Sequence, residues 1–355
     1  MSELLDRPVA VREDDRLDLA AIVAWLAGRV PGASGTPRVL QYPGGASNLT
    51  YLLEWPDLRL VLRRPPFGTK ARSAHDMGRE VRFLRAMEGR IPVPRVVAHC
   101  PDPEVAGGEF YLMEKLDGII LRRDIPPSLG LGESATRALC ERVLDLLAAL
   151  HGIDVEAEGL DHLGRGGGYT RRQIDGWSRR YRAALTPDAQ DGEAVMAWLD
   201  QHCPDDVATT VIHGDFRFDN VVLDPANPQR IIGVLDWEMA TLGDPLMDLG
   251  NSLAYWIQSD DDAFLRAMRR QPTDAPGMLT RAQVWEHYGR QSGRDTTHTT
   301  FYEVYGLFRL AVILQQIWYR YHHGQTTNPA FSTFGPAAAY LIGRCSFVLA
   351  EGSSR

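Results

Sequence analysis

The sequence predicts an α+β protein in two parts: a small strand-bearing part over residues 1–115 and a mainly helical part over residues 116–355. Three observations carry that reading. Five strand-like runs, at 38–42, 49–55, 58–64, 95–100 and 109–116, are gathered at the start with one helical stretch among them at 73–88. Helical periodicity dominates afterwards, as at 137–151 and 303–320. The exception is 211–236, where short apolar β-rich runs bracket polar turns.

The elements follow in order. Residues 18–28, DLAAIVAWLAG, open on Asp18 as a cap, carry Leu19, Ile22, Val23 and Leu26 at helical spacing, and stop on glycine. Between the first two strands lies Gly44-Gly45-Ala46-Ser47-Asn48. Such a turn can lay backbone N–H groups over phosphates, although Gly-Gly is also an ordinary hairpin turn. In the third strand, period two puts Val61 and Arg63 on one face and Leu60 and Leu62 on the other. Within 73–88, Met77, Leu84 and Met87 share a stripe with Glu80. A carboxylate on an inward face needs a cation, and Arg63 is the candidate, with an exposed i,i+4 pair as the alternative. Lys70, beyond Pro65-Pro66, is a second candidate cation.

In the helical part, Leu139, Val143, Leu146, Leu147 and Leu150 line one face of a helix that ends at His151-Gly152. A lone histidine there reads as a cap or a packed residue. The glycine-rich GRGGGYTRRQIDGW, at 164–177, lacks the lysine and Ser/Thr of a Walker phosphate loop. Residues 303–320 are apolar nearly all round, as in a buried helix, and the adjacent His322 and His323 point in different directions, which argues against a metal site.

Bulk properties narrow the function classes. At 355 residues the chain can bury a sizeable core, and its composition is that of an ordinary globular protein. A net charge of −8 and a pI near 5.7 argue against a nucleic-acid partner. The N-terminus shows no signal pattern, and no run reads as a membrane span. Cys100, Cys140, Cys203 and Cys345 are scattered, as expected of packed thiols in a reducing compartment, so a cytoplasmic enzyme is expected. Only two lysines, Lys70 and Lys115, occur against 36 arginines.

The chemistry concentrates in 211–250, VIHGDFRFDNVVLDPANPQRIIGVLDWEMATLGDPLMDLG. Asp215, Asn220 and Asp236 stand at strand ends, where a loop can bring their oxygens together. Capped turns are the plainer account of such residues. Phosphoryl transfer needs such a set: oxygens to hold Mg²⁺, a carboxylate near the attacking hydroxyl, and positive charge on the phosphates. The spacing His-x-Asp-x-x-x-x-Asn, followed by an Asp after an apolar strand, resembles the kinase catalytic loop and its metal-binding Asp.

The segment is similar to the aminoglycoside-phosphotransferase-like superfamily, and HGDFRFDNVV with LDWEMATLGDPLMDLG resembles the kinase-like domain associated with acyl-CoA dehydrogenases. The Gly-Gly-x-Ser-Asn at 44–48 and the Gly-Gly-Tyr…Arg-Gln…Trp pattern within 164–177 match the same branch, and the resemblance runs over 15–345. It implies a two-lobed protein-kinase-like α+β fold, with a small β-sheet N-lobe and a mainly helical C-lobe, and dependence on ATP and Mg²⁺. Asp215 would orient and deprotonate a substrate hydroxyl, while Asn220 and Asp236 would hold the metal. Arg217 sits where protein kinases carry a phosphoryl-neutralising lysine, or else braces the loop against Asp219 or Glu238. Gly44, Gly45, Ser47 and Asn48 would cover the phosphates, and Val61 would roof the adenine. Arg63 would replace the usual lysine and pair with Glu80, and Glu114 and Leu116 would offer backbone groups to adenine. Asp248 would brace the catalytic loop, with His213 packed beneath it.

Only eleven residues separate Asp236 from Asp248, too few for a protein kinase's activation segment, so a small-molecule hydroxyl is the expected acceptor. The resemblance favours a hydroxyacyl-CoA or related acyl alcohol, acting with a separate acyl-CoA dehydrogenase. An aminoglycoside or other small-alcohol kinase, or a nucleotide-binding pseudokinase module, are the alternatives.

Overall fold

The computed structural model describes residues 8–43, 48–66 and 76–352. By its internal contacts the chain forms two compact units, Met1–Leu131 with Phe218–Ala240, and Gly132–Arg217 with Thr241–Arg355.

The first unit is built on β1 (Arg38–Gln41), β2 (Leu49–Glu54), β3 (Arg59–Arg64), β4 (Val96–Cys100) and β5 (Phe110–Glu114), an antiparallel sheet in the order β1-β2-β3-β5-β4. Period two works as expected. Leu60 and Leu62 join Leu49, Tyr51, Leu53, Phe110 and Leu112 in one core, closed by Ile22 and Leu26 of α1 (Leu19–Leu26). Asp18 caps that helix by accepting the Ala21 N–H at 3.0 Å. Arg63 therefore emerges on the other face, where α2 (Met77–Met87) packs on β4 and β5 and buries Met77, Glu80, Val81, Leu84 and Met87. A short α3 (Pro103–Ala106) lies against α1.

The remaining described strands are β6 (Ile119–Ile120), β7 (Thr210–Ile212), β8 (Val221–Leu223), β9 (Ile231–Val234) and β10 (Thr241–Gly243). β6, β8 and β9 form a second antiparallel sheet of the first unit, whereas β7 pairs with β10 in the second unit. The boundary expected at residue 115 precedes β6. Pairing of β6 with β8 joins residues 116–131 to the 218–240 segment, and Arg63 of β3 ties that segment to the first sheet through Asp236.

The second unit holds α4 (Glu133–His151), α5 (Tyr169–Ala183), α6 (Glu193–Gln201), α7 (Pro245–Ala254), α8 (Ala263–Met268), α9 (Arg281–Ser292), α10 (Thr300–His322) and α11 (Phe334–Gly352). α4 starts four residues before its apolar stripe suggests, because the polar Glu-Ser-Ala-Thr turn carries no periodic signal. α10 is the central helix, touching α5, α7 and α11. At its crossing with α7 the backbones meet. A Cβ on Gly250 would come 2.4 Å from the Tyr302 carbonyl oxygen, and one on Gly306 would come 2.1 Å from that of Gly250.

Against the expectation that no run reads as a membrane span, the stretch Pro329–Ala350, which includes most of α11, is long and apolar enough by composition to cross a membrane. Its stripe Ala337, Ala338, Leu341, Ile342 and Cys345 is buried, and the helix packs on α10.

Candidate active site

β7 delivers the chain into the turn 213–217. Gly214 sits at φ 81°, in the left-handed region that glycine enters without a Cβ clash. The turn is pinned from two helices. Asp248 of α7, fully buried, accepts the Gly214 N–H on Oδ1 at 2.8 Å and the His213 N–H on Oδ2 at 2.8 Å. From α10, Arg309 Nη2 donates to the Gly214 carbonyl at 2.9 Å.

Behind Asp248 stands a buried relay. His151 Nε2 lies 3.1 Å from Asp248 Oδ2, and Nδ1 lies 2.7 Å from the Tyr288 hydroxyl. An ionised Asp248 accepts only, which makes Nε2 the protonated nitrogen and Nδ1 the acceptor of the tyrosine O–H. Burial alone would raise the Asp248 carboxyl; the His151 bond and the His213 N–H hold it below the usual carboxylate range instead. Burial depresses His151, against the pull of Asp248. The two shifts agree on a neutral imidazole beside an ionised carboxylate.

Asp215 projects from the pinned turn. Arg217 Nη2 is 3.1 Å from Asp215 Oδ2, and the guanidinium lies over the Tyr255 ring at 4.6 Å. Arg217 thus touches the candidate base itself, a contact that neither reading of Arg217, as a phosphoryl-neutralising charge or as a brace against Asp219 or Glu238, had named. The Asp215 N–H points to His213 Nδ1 at 3.3 Å.

In the first unit, the turn ending at Asn220 is tied to the strand that delivers Asp236. The Leu235 N–H donates to the Asn220 carbonyl at 2.8 Å, and Asp236 follows directly. Asp236 has φ 67°, the one non-glycine at positive φ among the described residues. Asp tolerates this region better than most residues, yet such a conformation costs about 1 kcal/mol or more and has to be held by its surroundings. Trp237, wholly buried, holds it, its indole donating to the Val234 carbonyl at 2.9 Å.

Arg63 meets this turn. Nη1 is 2.7 Å from Glu80 Oε1, Nη2 is 2.9 Å from Asp236 Oδ1, and Glu238 Oε2 is 3.9 Å away. The expected strand-to-helix ion pair is present, and the arginine's fork lets one side chain serve two carboxylates. Burial opposes the charge on Arg63, but Glu80 and Asp236 outweigh it and hold the group firmly protonated. Burial pushes the Glu80 carboxyl up, even with Arg63 beside it. Neighbouring Arg64 faces the other way and is satisfied by the Ala106 and Gly107 carbonyls.

One guanidinium is thus shared by three carboxylates. Among the described residues no cluster of three or more His, Cys, Asp or Glu stands ready to hold a metal by itself. Mg²⁺ does not require one, since it is usually bound through one or two carboxylates plus phosphate oxygens and water. Asn220 and Asp236 fit that pattern.

The other expected positions divide. Gly44, Gly45 and Ser47, with Lys70, lie outside the described residues. Asn48 is buried, and its Nδ2 donates to Glu238 Oε2 at 2.7 Å, so its amide serves the Asp-Trp-Glu turn. Val61 lies on β3 opposite Leu52 and Met113, on the Arg63 face. The Glu114 N–H is committed to the Arg95 carbonyl at 3.0 Å, which leaves its carbonyl and the Leu116 backbone as the candidates for adenine. The Leu116 side chain packs on Gly233. At α5 the N-terminal N–H groups of Tyr169 and Thr170 are taken by Asp206 at 2.8 Å each, so the glycine-rich segment before it presents no open helix end to a phosphate.

Sequence reasoning named Glu238 only as a possible brace for Arg217 and His151 only as a cap or packed residue, and it missed Tyr288 and Arg309. Glu238 and Arg309 left a signal: a second carboxylate two residues past Asp236, and a single charge inside the apolar run of α10. The partners of His151 lie 97 and 137 residues away, which no local pattern encodes.

Comparison with known proteins agrees with this geometry. Residues 38–284 match the model of the phosphotransferase enzyme family. Acyl-CoA dehydrogenase family member 10 of Mus musculus is 37% identical over 300 residues, covering 83% of this chain; the chain spans only 28% of that relative's length. A Ralstonia eutropha protein assigned as an aminoglycoside phosphotransferase superposes with a TM-score of 0.75 at 33% identity, over 92% of this chain and 96% of that one. A thermostable mutant of the aminoglycoside phosphotransferase APH(4)-Ia, in ternary complex with AMP-PNP and hygromycin B, shares the fold at a TM-score of 0.60 and 17% identity, over 94% of this chain and 99% of that one. The antiparallel sheet with its paired helix, the helical second unit and the pinned turn are those of an α+β kinase-like protein, and the chain belongs to the phosphotransferase enzyme family.

Proposed function

We propose that this chain transfers the γ-phosphoryl group of ATP, with Mg²⁺, to a hydroxyl of a small acyl substrate, a hydroxyacyl-CoA or a related acyl alcohol. The observation that carries the reading is Arg63, whose one guanidinium binds Glu80 and Asp236 and lies near Glu238. Bound Mg²⁺ would bridge phosphate oxygens and offset the charge of transfer. Asp236 and Asn220 would hold it. Asp215 would orient the acceptor hydroxyl and take its proton as the oxygen–phosphorus bond forms and ADP departs. Arg63 would contact the nucleotide phosphates while keeping Glu80 paired, and Arg217 would place positive charge beside the transferring group. Val61 and the backbone of Glu114 and Leu116 would receive the adenine.

Support for nucleotide binding comes from the AMP-PNP complex of the APH(4)-Ia mutant, and support for an acyl acceptor from the dehydrogenase-named relative. Tyr169, Trp177 and Tyr305, all buried in the second unit, give it an aromatic interior better suited to an acyl chain than to a polycation. A separate acyl-CoA dehydrogenase would then act on the same metabolites in the cytoplasm.

The test is Mg²⁺-dependent ATP consumption against a panel of hydroxyacyl-CoAs, aminoglycosides and simple alcohols, with Asp215→Ala alongside. Turnover with a hydroxyacyl-CoA that vanishes in the variant supports the proposal. Turnover with aminoglycosides alone would overturn the acceptor assignment, and nucleotide binding without turnover on any acceptor would favour the pseudokinase alternative.

A further inference from the structure

Arg309 places a permanent charge inside the second unit, with 5% of its surface exposed. Its placed hydrogen bond is to a neutral group, the Gly214 carbonyl. The Trp177 ring lies 5.4 Å from its guanidinium, and the same ring carries Arg180 at 4.5 Å. Tyr305, Tyr255 and Tyr169 lie within electrostatic reach of it, as does the carboxylate of Asp215, which Arg217 contacts. Among the described residues Arg309 forms no ion pair of its own. A buried charge without a counterion is costly, and a neutral side chain would pack an apolar helix at less expense. Bracing the Gly214 carbonyl needs only a neutral donor.

We infer that Arg309 is the counterion for an anionic group of the acceptor, bound next to the turn that carries Asp215. That an acceptor hydroxyl is present rests on the phosphotransferase reading; the anion site rests on Arg309 alone. The group is a carboxylate of a free hydroxy acid or a phosphate of a CoA thioester, and both are oxyanions that a guanidinium fork pairs well. A polycationic acceptor is disfavoured by the same charge.

The experiment is calorimetric titration of the intact protein with hydroxyoctanoate, hydroxyoctanoyl-CoA and the neutral octanediol, without ATP. Wild type, Arg309→Gln and Arg309→Lys are compared, with AMP-PNP titrated as a control. The expected result is that wild type binds an anionic probe about tenfold to a hundredfold more tightly than the diol. Arg309→Gln removes that preference, Arg309→Lys keeps most of it, and AMP-PNP affinity is unchanged in both. Loss confined to hydroxyoctanoate assigns the carboxylate, and loss confined to the thioester assigns the phosphate. Wild type binding the diol as tightly as both anions overturns the inference without any variant. So does an Arg309→Gln protein that keeps the anionic preference or weakens all three probes equally. Absence of phosphoryl transfer in a separate turnover assay would sink the phosphotransferase reading while leaving these titrations interpretable.

Discussion

Replacing Asp248 by Asn is the most searching perturbation of the pinned turn, because size is kept and only charge and acceptor count change. Asp248 receives three donors: Gly214 N–H on Oδ1, and His213 N–H and His151 Nε2–H on Oδ2. An asparagine offers one acceptor oxygen. If it takes the Oδ2 position, the Gly214 N–H faces an NH₂ group; if it takes the Oδ1 position, two donors do. In either orientation at least one buried donor loses its partner, at about 1.5–3 kcal/mol for a charge-assisted bond, and the surviving bonds weaken as the charge is lost. The total is about 3–5 kcal/mol, or a fall in melting temperature of roughly 6–20 °C at about 2–4 °C per kcal/mol. Near-ultraviolet circular dichroism reads the melt, and amide exchange at Gly214 reads the local effect. A variant melting within about 2 °C of wild type, with Gly214 still protected, would refute the reasoning, since the three donors could not then depend on this carboxylate.

Other outcomes follow from the same geometry. Arg63→Met should cost about 3–5 kcal/mol by stranding the buried Glu80, and adding Glu80→Gln should recover most of it; a double variant no more stable than the single one would contradict the ion-pair account. Acid should destabilise the protein in two windows. His151 is depressed in the fold, so the unfolded chain binds more protons below about pH 6.5 and stability falls as pH drops from there towards the folded value; Asp248 is also depressed, so its contribution is lost below about pH 4. Melting curves between pH 3 and 8 should show both slopes, with the upper one absent in His151→Gln. Gly306→Ala should destabilise by about 2–4 kcal/mol, since its Cβ would strike the Gly250 backbone, and a neutral result in thermal melts would mean that the two helices can part without cost. Asp236→Gly should relieve the left-handed backbone and match or exceed wild-type stability while abolishing Mg²⁺-dependent phosphoryl transfer; a clear loss of stability would show that the Arg63 bond outweighs the strain.

What was legible in the sequence was what repeats or sits locally. The alternation around Arg63 correctly separated the Leu60–Leu62 face from the polar one, and Glu80 on an apolar stripe correctly called for a cation, because both are consequences of period. Asp215, Asn220 and Asp236 were singled out through spacing. The bracing of the turn by Asp248 was expected from the resemblance, but His151 behind that carboxylate and the Arg309 bond to Gly214 were not, because each contact joins elements far apart in sequence and a buried polar residue looks like any other until its partners are known. The Asn48 bond was hidden for a related reason: its amide donates to Glu238, 190 residues on.

Gly214 carries a last consequence. A glycine at positive φ ordinarily leaves the adjoining peptide planes free to rotate, and that freedom is the entropic liability of the residue. Here the plane before it is fastened through its N–H to Asp248 and the plane after it through its C=O to Arg309. Neither plane can flip without breaking a bond to a different helix. The turn therefore takes glycine's shape without glycine's mobility, and under the proposed function the backbone that carries Asp215 would already be set before a substrate arrived, its ordering entropy spent during folding.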